Sequence, residues 1–328
     1  MPTILSCGEA LIDLVPVSVG GETAYVPRAG GSPYNVALAL GRLGASVGFF
    51  GRMSTDPFGQ LLRERLIGAG VDCGLVREGP EPTALAVVHL ARDQEPRFVF
   101  YGDRAADAEI QASELPTTGD LDGADNGLKR TVALHLGSIS LLREPAASAY
   151  EALIRREGQR RVLSLDPNVR PSLIRDRATY QRRLDMWLRH AAIVKVSHAD
   201  LAWLAPGRAP LEVAADWIER GPSLVVVTLG ADGATAVTAG GRTHPVTATV
   251  AGEHVDVRDT VGAGDAFTAG LLCWLEARGR LERRALSDLT AEELRVCLSF
   301  ANRVAAIACT RTGAEPPSRH ELGSGFWA

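Results

Sequence analysis

Lysine is almost missing from this chain of 328 residues: of 35 basic side chains, Lys129 and Lys195 are the two lysines and the rest are arginine. Against 39 acidic residues this leaves a formal net charge of −4. Such a balance supplies no electrostatic footprint for nucleic acid or for an anionic membrane surface. The five cysteines, Cys7, Cys73, Cys273, Cys297 and Cys309, contain no C-x-x-C pair, are odd in number and stand among apolar residues. They read as small buried hydrophobes in a reducing cytosol, and the protein as cytoplasmic. The seven histidines form no H-x-x-x-H and no mixed Cys/His spacing, which argues against a zinc site. No apolar run approaches the length of a membrane span. Residues 1–15 lack a basic leader and carry Glu9 and Asp13, unlike a signal peptide. Two nucleotide signatures are missing as well. The lack of G-x-x-x-x-G-K-[ST] excludes a P-loop, and the lack of G-x-G-x-x-G after the first strand counts against a dinucleotide dehydrogenase.

What is present is ample apolar material: 46% of the residues are hydrophobic and 23% charged, enough for a sizeable core. This length fits one large α/β domain or two smaller ones. Residues 4–15 read as a strand. Ser32-Pro33 opens a helix through 43, with serine as N-cap and proline at the first helical position. A strand at 46–50 follows, then a helix from Asp56-Pro57 to about 69. Further strands are expected at 131–136, 161–165, 192–196 and 224–229. Helices are expected at 144–157, 179–189 and 211–220, with a short one capped by Ser197 and one from the Thr290/Glu293 capping box to about 309. This alternation predicts an α/β fold with a mainly parallel sheet covered by helices on both faces. Segments 22–28 and 83–101 break the rhythm as exposed strands without helices between them. They form either a small β-sheet lid or surface hairpins without a role. Residues 114–129 are polar and Gly/Asp-rich and read as a loop and turn.

The most informative run is Asp259-Thr260-Val261-Gly262-Ala263-Gly264-Asp265-Ala266-Phe267. Its glycines allow a tight turn with unshielded N–H groups, and an apolar helix follows at once. A helix N-terminus adds partial positive charge and free donors. An anion suits that place, so a carboxylate at Asp265 looks misplaced. A base beside an anion hole is what phosphoryl transfer to a hydroxyl requires. The competing reading is a solvated turn with Asp265 as an ordinary N-cap. A second cluster, Gly30-Gly31-Ser32-Pro33-Tyr34-Asn35, lets a ligand approach the backbone, and Asn35 both donates and accepts, as sugar hydroxyls need. Asp13, at the end of the first strand, can accept from two adjacent hydroxyls at the strand ends where open α/β sheets bind ligands. Thr228-Leu229-Gly230-Ala231-Asp232-Gly233 follows an apolar strand and can admit a nucleotide's phosphates or ribose.

Gly30-Gly31 with Asn35, and Asp259 to Asp265, resemble in order and separation the two signatures of the PfkB (ribokinase-like) carbohydrate kinases. The resemblance covers essentially the whole chain. Gly8-Glu9-Ala10-Leu11-Ile12-Asp13, Arg97-Phe98-Val99-Phe100-Tyr101 with Ala105-Ala106-Asp107, Gly137-Ser138-Ile139-Ser140 and Asp166-Pro167-Asn168-Val169-Arg170 look like the fructokinase branch. The resemblance implies a Rossmann-like ribokinase fold and a single kinase domain over 1–328, with a lid from segments at about 14–29 and 83–104. It implies ATP-dependent phosphorylation of a sugar's primary hydroxyl, with Mg2+. Asp265 becomes the catalytic base and the N–H groups of Gly262, Ala263 and Gly264 the anion hole. Asp13, Gly30, Gly31, Asn35, Arg104 and Arg170 are assigned to the sugar. Lys195, Ser197, Thr228, Gly230, Gly233, Gly262, Gly264 and Asn302 are assigned to the nucleotide. Many members carry Asn-x-x-Glu where this chain has Ser197-His198-Ala199-Asp200; Asp200 keeps the carboxylate, with a shorter reach, as a water-mediated partner of Mg2+. A monovalent cation, K+, is implied at Asp259, Val261, Ala308, Arg311 and Gly313. Fructose, 2-keto-3-deoxygluconate, 5-dehydro-2-deoxygluconate, ribose and a nucleoside all stay open as acceptors, and Arg104 with Arg170 suits an acidic sugar. A non-catalytic sugar-binding protein is the remaining reading. An exposed lid invites pairing through its outer face or edge, so a homodimer is expected.

Overall fold

Within each central apolar run, successive side chains leave the backbone on opposite sides. Ile4, Val162, Ile193 and Leu224 join one apolar core, while their neighbours Leu5, Leu163, Val194 and Val225 join another. In the computed structural model, which describes residues 3–89, 97–123, 130–240 and 244–323, these runs lie in one sheet between the two cores.

The strands are β1 (Ile4–Cys7), β2 (Leu11–Val19), β3 (Glu22–Gly30), β4 (Val47–Phe50), β5 (Arg52–Ser54), β6 (Arg77–Gly79) and β7 (Leu85–His89). They continue as β8 (Arg97–Tyr101), β9 (Ala133–Gly137), β10 (Val162–Asp166), β11 (Ile193–Ser197), β12 (Leu224–Thr228), β13 (Ala234–Thr238) and β14 (Thr247–Val250). The large sheet has the order β14-β13-β12-β11-β10-β9-β1-β4. It is parallel from β12 to β4 and antiparallel at β13 and β14. A small sheet has the order β3-β2-β7-β8, and β5 pairs with β6.

Helices α1 (Ser32–Arg42), α2 (Pro57–Gly68), α3 (Thr118–Asp122), α4 (Ala146–Glu157), α5 (Arg177–His190), α6 (His198–Leu204) and α7 (Pro210–Ile218) precede α8 (Ala263–Ala277), α9 (Arg283–Ser287) and α10 (Ala291–Cys309). Helices α1, α2, α8 and α10 cover one face of the large sheet, and α4 to α7 the other. Helix α8 lies along α10 because Gly270 has no side chain there; a Cβ at that position would stand 2.9 Å from the Cα of Ala301. Chain order runs from β1 outward to β4 in one direction and through β9 to β12 in the other. The carboxyl ends of β1 and β9 therefore form the crevice where such sheets bind ligands.

Two expectations change. The strand expected over 4–15 is two strands in different sheets, broken at residues 8–10; Gly8, at φ +150°, turns the chain out of the large sheet. The loop expected over 114–129 contains α3, capped by the Thr117 and Asp120 pair, with residues 124–129 outside the described part. Cys7, Cys73, Cys273 and Cys297 are buried, Cys309 is half-buried, and all five are free thiols.

The amino ends of β9 and β10 are locked by charge. Arg161, with a side chain 1% exposed, donates to Glu157 at 2.9 Å and to Asp122 at 2.7 Å. Buried Glu157 also accepts from Thr118 at 2.8 Å and Arg156 at 2.9 Å. Arg161→Ala breaks this buried network and is expected to cost about 3–5 kcal/mol in urea unfolding. Ligand binding at the opposite, carboxyl end of the sheet should be unchanged.

Candidate active site

Helix α8 begins after Gly262, whose left-handed φ of +75° lets the chain turn into the first helical residue. Asp265 stands in that first turn and is 7% exposed. It is not the N-cap. Its carboxylate accepts from the Ser32 hydroxyl at 2.7 Å and from the Asn35 amide at 2.8 Å, so both donors come from the start of α1. Ser32, expected as the N-cap of α1, is not its cap either. Gly31 takes that place, and the Ser32 side chain turns to Asp265 instead. Gly31 sits at φ +102°, and a Cβ there would stand 2.6 Å from the Glu9 carbonyl oxygen. Burial pushes the Asp265 carboxyl up to about 6, against the Ser32 and Asn35 bonds that hold it down; Asp166 adds to the rise and Lys195 opposes it. A carboxylate that titrates near neutrality is suited to accept a proton. Asn35 Oδ1 is buried with no hydrogen-bond partner among the described residues, leaving an acceptor for a ligand.

Asp13 is not at the end of a core strand but in β2 of the small sheet, opposite Arg28. Gly30 makes room for it, since a Cβ there would collide with the Asp13 carboxylate. Burial raises Asp13 to about 7, Asp265 adds to this and Arg170 opposes it. Asp13, Gly31, Asn35, Arg170, Lys195 and Asp265 line one cavity of about 660 Å³. Arg170 is steadied by Asn168, whose Oδ1 accepts at 2.6 Å. Arg104 is not brought to this cavity. It lines an adjoining one of about 910 Å³, with Phe100 bordering both.

The cavity lined by Asp13 and Asp265 also holds a buried cation. Lys195 is buried, and its Nζ donates to Asp166 Oδ2 at 2.9 Å. Burial works against its charge, but Asp166, with Asp200 and Asp265, more than restores it and the pKa is raised. The ammonium lies against the start of α8: a Cβ on Gly264 would stand 2.8 Å from Nζ. A lysine and a helix N-terminus thus face the same space. Of the three N–H groups expected to bind an anion, that of Ala263 donates to the Thr260 carbonyl at 3.2 Å, so those of Gly262 and Gly264 are the better placed. Thr228, Gly230, Thr260 and Gly264 also border a second cavity of about 370 Å³, which takes in Gly233, Phe267 and Asn302. The Asn302 amide donates to the Ala251 carbonyl at 3.1 Å.

Asp200 is buried in the first turn of α6 and completes the capping box begun by Ser197. It accepts from the Ser197 hydroxyl at 2.7 Å and from the Val169 N–H at 2.9 Å, and burial raises its pKa. Asp259 joins two segments, accepting from Val261 N–H at 3.0 Å and from Gly313 N–H at 2.7 Å. The Ala308 carbonyl accepts from Arg311 N–H at 3.1 Å, and the Arg311 side chain turns away to Pro316 and Glu321. Among the described residues no three His, Cys, Asp or Glu side chains converge as a metal cage. Sequence reasoning gave Ser32 a capping role alone and assigned none to Glu9, Ser140 or Asp166. A signal existed for Glu9, a charge inside an apolar run, and for Asp166, which ends one.

Residues 1–321 match the model of the pfkB family of carbohydrate kinases. A fructokinase of Rhizobium leguminosarum bv. trifolii is 40% identical over 293 residues, covering 89% of this chain and 85% of the relative. The fructokinase of Xylella fastidiosa with bound ATP superposes with a TM-score of 0.84 at 30% identity, covering 98% of this chain and 97% of that one. A double mutant of the Vibrio cholerae O395 fructokinase, solved with fructose, ADP and potassium ion, gives 0.80 at 30% identity, with coverages of 98% and 97%.

A raised carboxyl pKa means that the folded protein holds the Asp265 proton more tightly than the unfolded chain does. The ionised form therefore costs stability above about pH 6, and the cost fades as pH falls toward the ordinary carboxylate range. Asp265→Asn is expected to raise the melting temperature at neutral pH, with the gap to wild type narrowing below about pH 6.

Proposed function

The chain belongs to the pfkB family of carbohydrate kinases and is a sugar phosphotransferase; on that premise we propose that it transfers the γ-phosphoryl group of ATP to a primary hydroxyl of fructose, with Asp265 as base. The observation that carries this reading is the buried Asp265 carboxylate, titrating at about 6, beside the Lys195 ammonium and the start of α8. Asp265 takes the proton of the hydroxyl as its oxygen attacks phosphorus in line, help worth about 10²–10⁴-fold in rate. The Gly262 and Gly264 N–H groups and Lys195 hold the migrating phosphoryl, each such donor being worth on the order of 3 kcal/mol. Asp13 and the unpartnered Asn35 Oδ1 accept from the other sugar hydroxyls, with Arg170 beside them. The nucleotide extends along Ser197, Thr228, Gly230 and Gly233 toward Asn302.

The chemistry of the donors fits the two cations. Mg2+ would be held mainly by the phosphates of ATP, whose charge it would neutralise, with Asp200 as its carboxylate partner from the protein. K+ would be held by backbone carbonyls near the Asp259 carboxylate, which ties Val261 to Gly313; a potassium ion is named in the Vibrio cholerae structure. The small sheet acts as a lid that keeps competing water out. Four large apolar side chains on it, Val19, Tyr25, Val99 and Tyr101, are exposed, which supports pairing through the lid as a cytoplasmic homodimer.

Fructose is favoured over the acidic sugars because the named relatives are fructokinases and because Arg104 faces the adjoining cavity. A panel of fructose, 2-keto-3-deoxygluconate, 5-dehydro-2-deoxygluconate, ribose and a nucleoside, with ATP and Mg2+ and ADP release as readout, should give fructose the highest kcat/KM. A higher value for another acceptor overturns the assignment, and no ADP with any of them supports a non-catalytic sugar-binding protein. Asp265→Asn should keep sugar affinity and lose at least about a hundredfold in turnover. Wild-type turnover should fall as pH drops through about 6, where Asp265 takes up a proton.

A further inference from the structure

Two sequence stretches, Gly8 to Asp13 and Gly137 to Ser140, meet at a side chain to which the reaction above gives no part. Glu9 is 1% exposed, yet it stands in the wall of the Asp265 cavity. Its Oε1 accepts from the Ser32 N–H at 3.1 Å. Its Oε2 accepts from the Ser140 N–H at 3.1 Å and from the Ser140 hydroxyl. The Glu9 N–H in turn donates to Ser140 Oγ at 2.8 Å. One carboxylate thereby ties the β1–β2 link, the start of α1 and the turn after β9.

These are also the ends of the β2–β3 hairpin of the small sheet. The chain enters that hairpin past Gly8 and leaves it at Gly30 and Gly31, with Leu11 paired to Gly30. A Cβ at Gly8 would stand 2.5 Å from Pro33 and from Ser140 Oγ, and one at Gly31 would stand 2.6 Å from the Glu9 carbonyl. The two joints are packed on each other with Glu9 between them. Ser32, whose N–H Glu9 holds, is the residue whose hydroxyl donates to Asp265 at 2.7 Å.

We propose that Glu9 is a positioning residue: by holding the Ser32 and Ser140 backbones it keeps the Ser32 hydroxyl aimed at Asp265 and fixes both ends of the β2–β3 hairpin of the small sheet to the large one. A carboxylate is required for this. Each Glu9 oxygen faces a backbone N–H, so a glutamine, whichever way its amide is turned, sets an NH2 against a donor. An unmet buried donor is costly and displaces the chain around it. Once Ser32 shifts, Asp265 loses a bond that lowers its pKa, and the pKa climbs further. The other groups facing Asp265 are Asp166 and Lys195, from β10 and β11, and Asp13 from β2. None of them touches Glu9 through a hydrogen bond; Asp166 and Lys195 belong to the large sheet and stay in place when Glu9 is changed, while Asp13 moves with β2.

The test uses the full chain with Glu9→Gln, Ser32→Ala and the double variant. It has two readouts: kcat and KM against pH with the best acceptor of the sugar panel, and amide hydrogen exchange without ligand. Glu9→Gln should lower kcat about tenfold, leave KM for ATP nearly unchanged and move the acid limb of kcat upward. Ser32→Ala should do the same, and the double variant should be little worse than the poorer single one, because both act on one bond. Exchange should quicken at Ser32 and Ser140. An unmoved acid limb, or losses that multiply in the double variant, overturns the proposal. If Glu9→Gln does not fold, Ser140→Ala, which keeps both N–H donors, should show the same shift in smaller measure. The proposal rests on Asp265 as the base. The exchange arm needs no substrate, so a protein that phosphorylated none of the sugars would overturn the kinase reading separately.

Discussion

The Asp265 carboxylate, in the first turn of the buried helix α8, takes its hydrogen bonds from outside that helix. They come from Ser32 and Asn35. Both donors sit within one turn at the start of α1, so the orientation of α1 against α8 becomes a condition of the chemistry. That orientation is fixed by burial. Nearly all of α1 from Ser32 to Leu40 is inaccessible, wedged between the large sheet and α8. Packing over the whole helix is what makes two hydrogen bonds at its tip dependable.

The same arrangement sets the charges of the cavity. Asp13 and Asp265 are pushed toward neutrality by desolvation, and Asp265 adds to the rise at Asp13. Lys195 keeps its charge because Asp166 lies 2.9 Å away, and Gly264 leaves room for the ammonium at the helix start. Asp259 performs a quieter task, bridging Val261 and Gly313 so that the loop preceding α8 is tied to the segment following α10.

Much of this could be read from residue order, and the failures are instructive. The alternation of strands and helices, and the caps at Asp56, Ser197 and Thr290, all appear as expected. These are local signals, set by nearby backbone groups. The errors came where a local reading competed with a distant partner. Ser32 has the composition of an N-cap, yet the neighbouring glycine takes that place because Ser32 has a partner more than two hundred residues away. Residues 4–15 have the pattern of one strand, but a buried Glu9 and a left-handed Gly8 divide it between two sheets. Arg104 follows a strand of the small sheet as expected, yet it faces the adjoining cavity.

The sequence by itself determined the fold class, the glycine turns, the apolar helix that follows residues 262–264 and the residue types available for phosphoryl transfer. Those follow from periodicity, from φ preferences and from which side chains can carry charge or accept a proton. Only the tertiary structure decided which of those residues share a cavity and what protonation each prefers there. Burial and hydrogen bonding across long stretches of chain set the titration of Asp265 and the charge of Lys195. Neither quantity is local, because the dielectric around a group and the donors that reach it are contributed by helices and strands far away in the sequence.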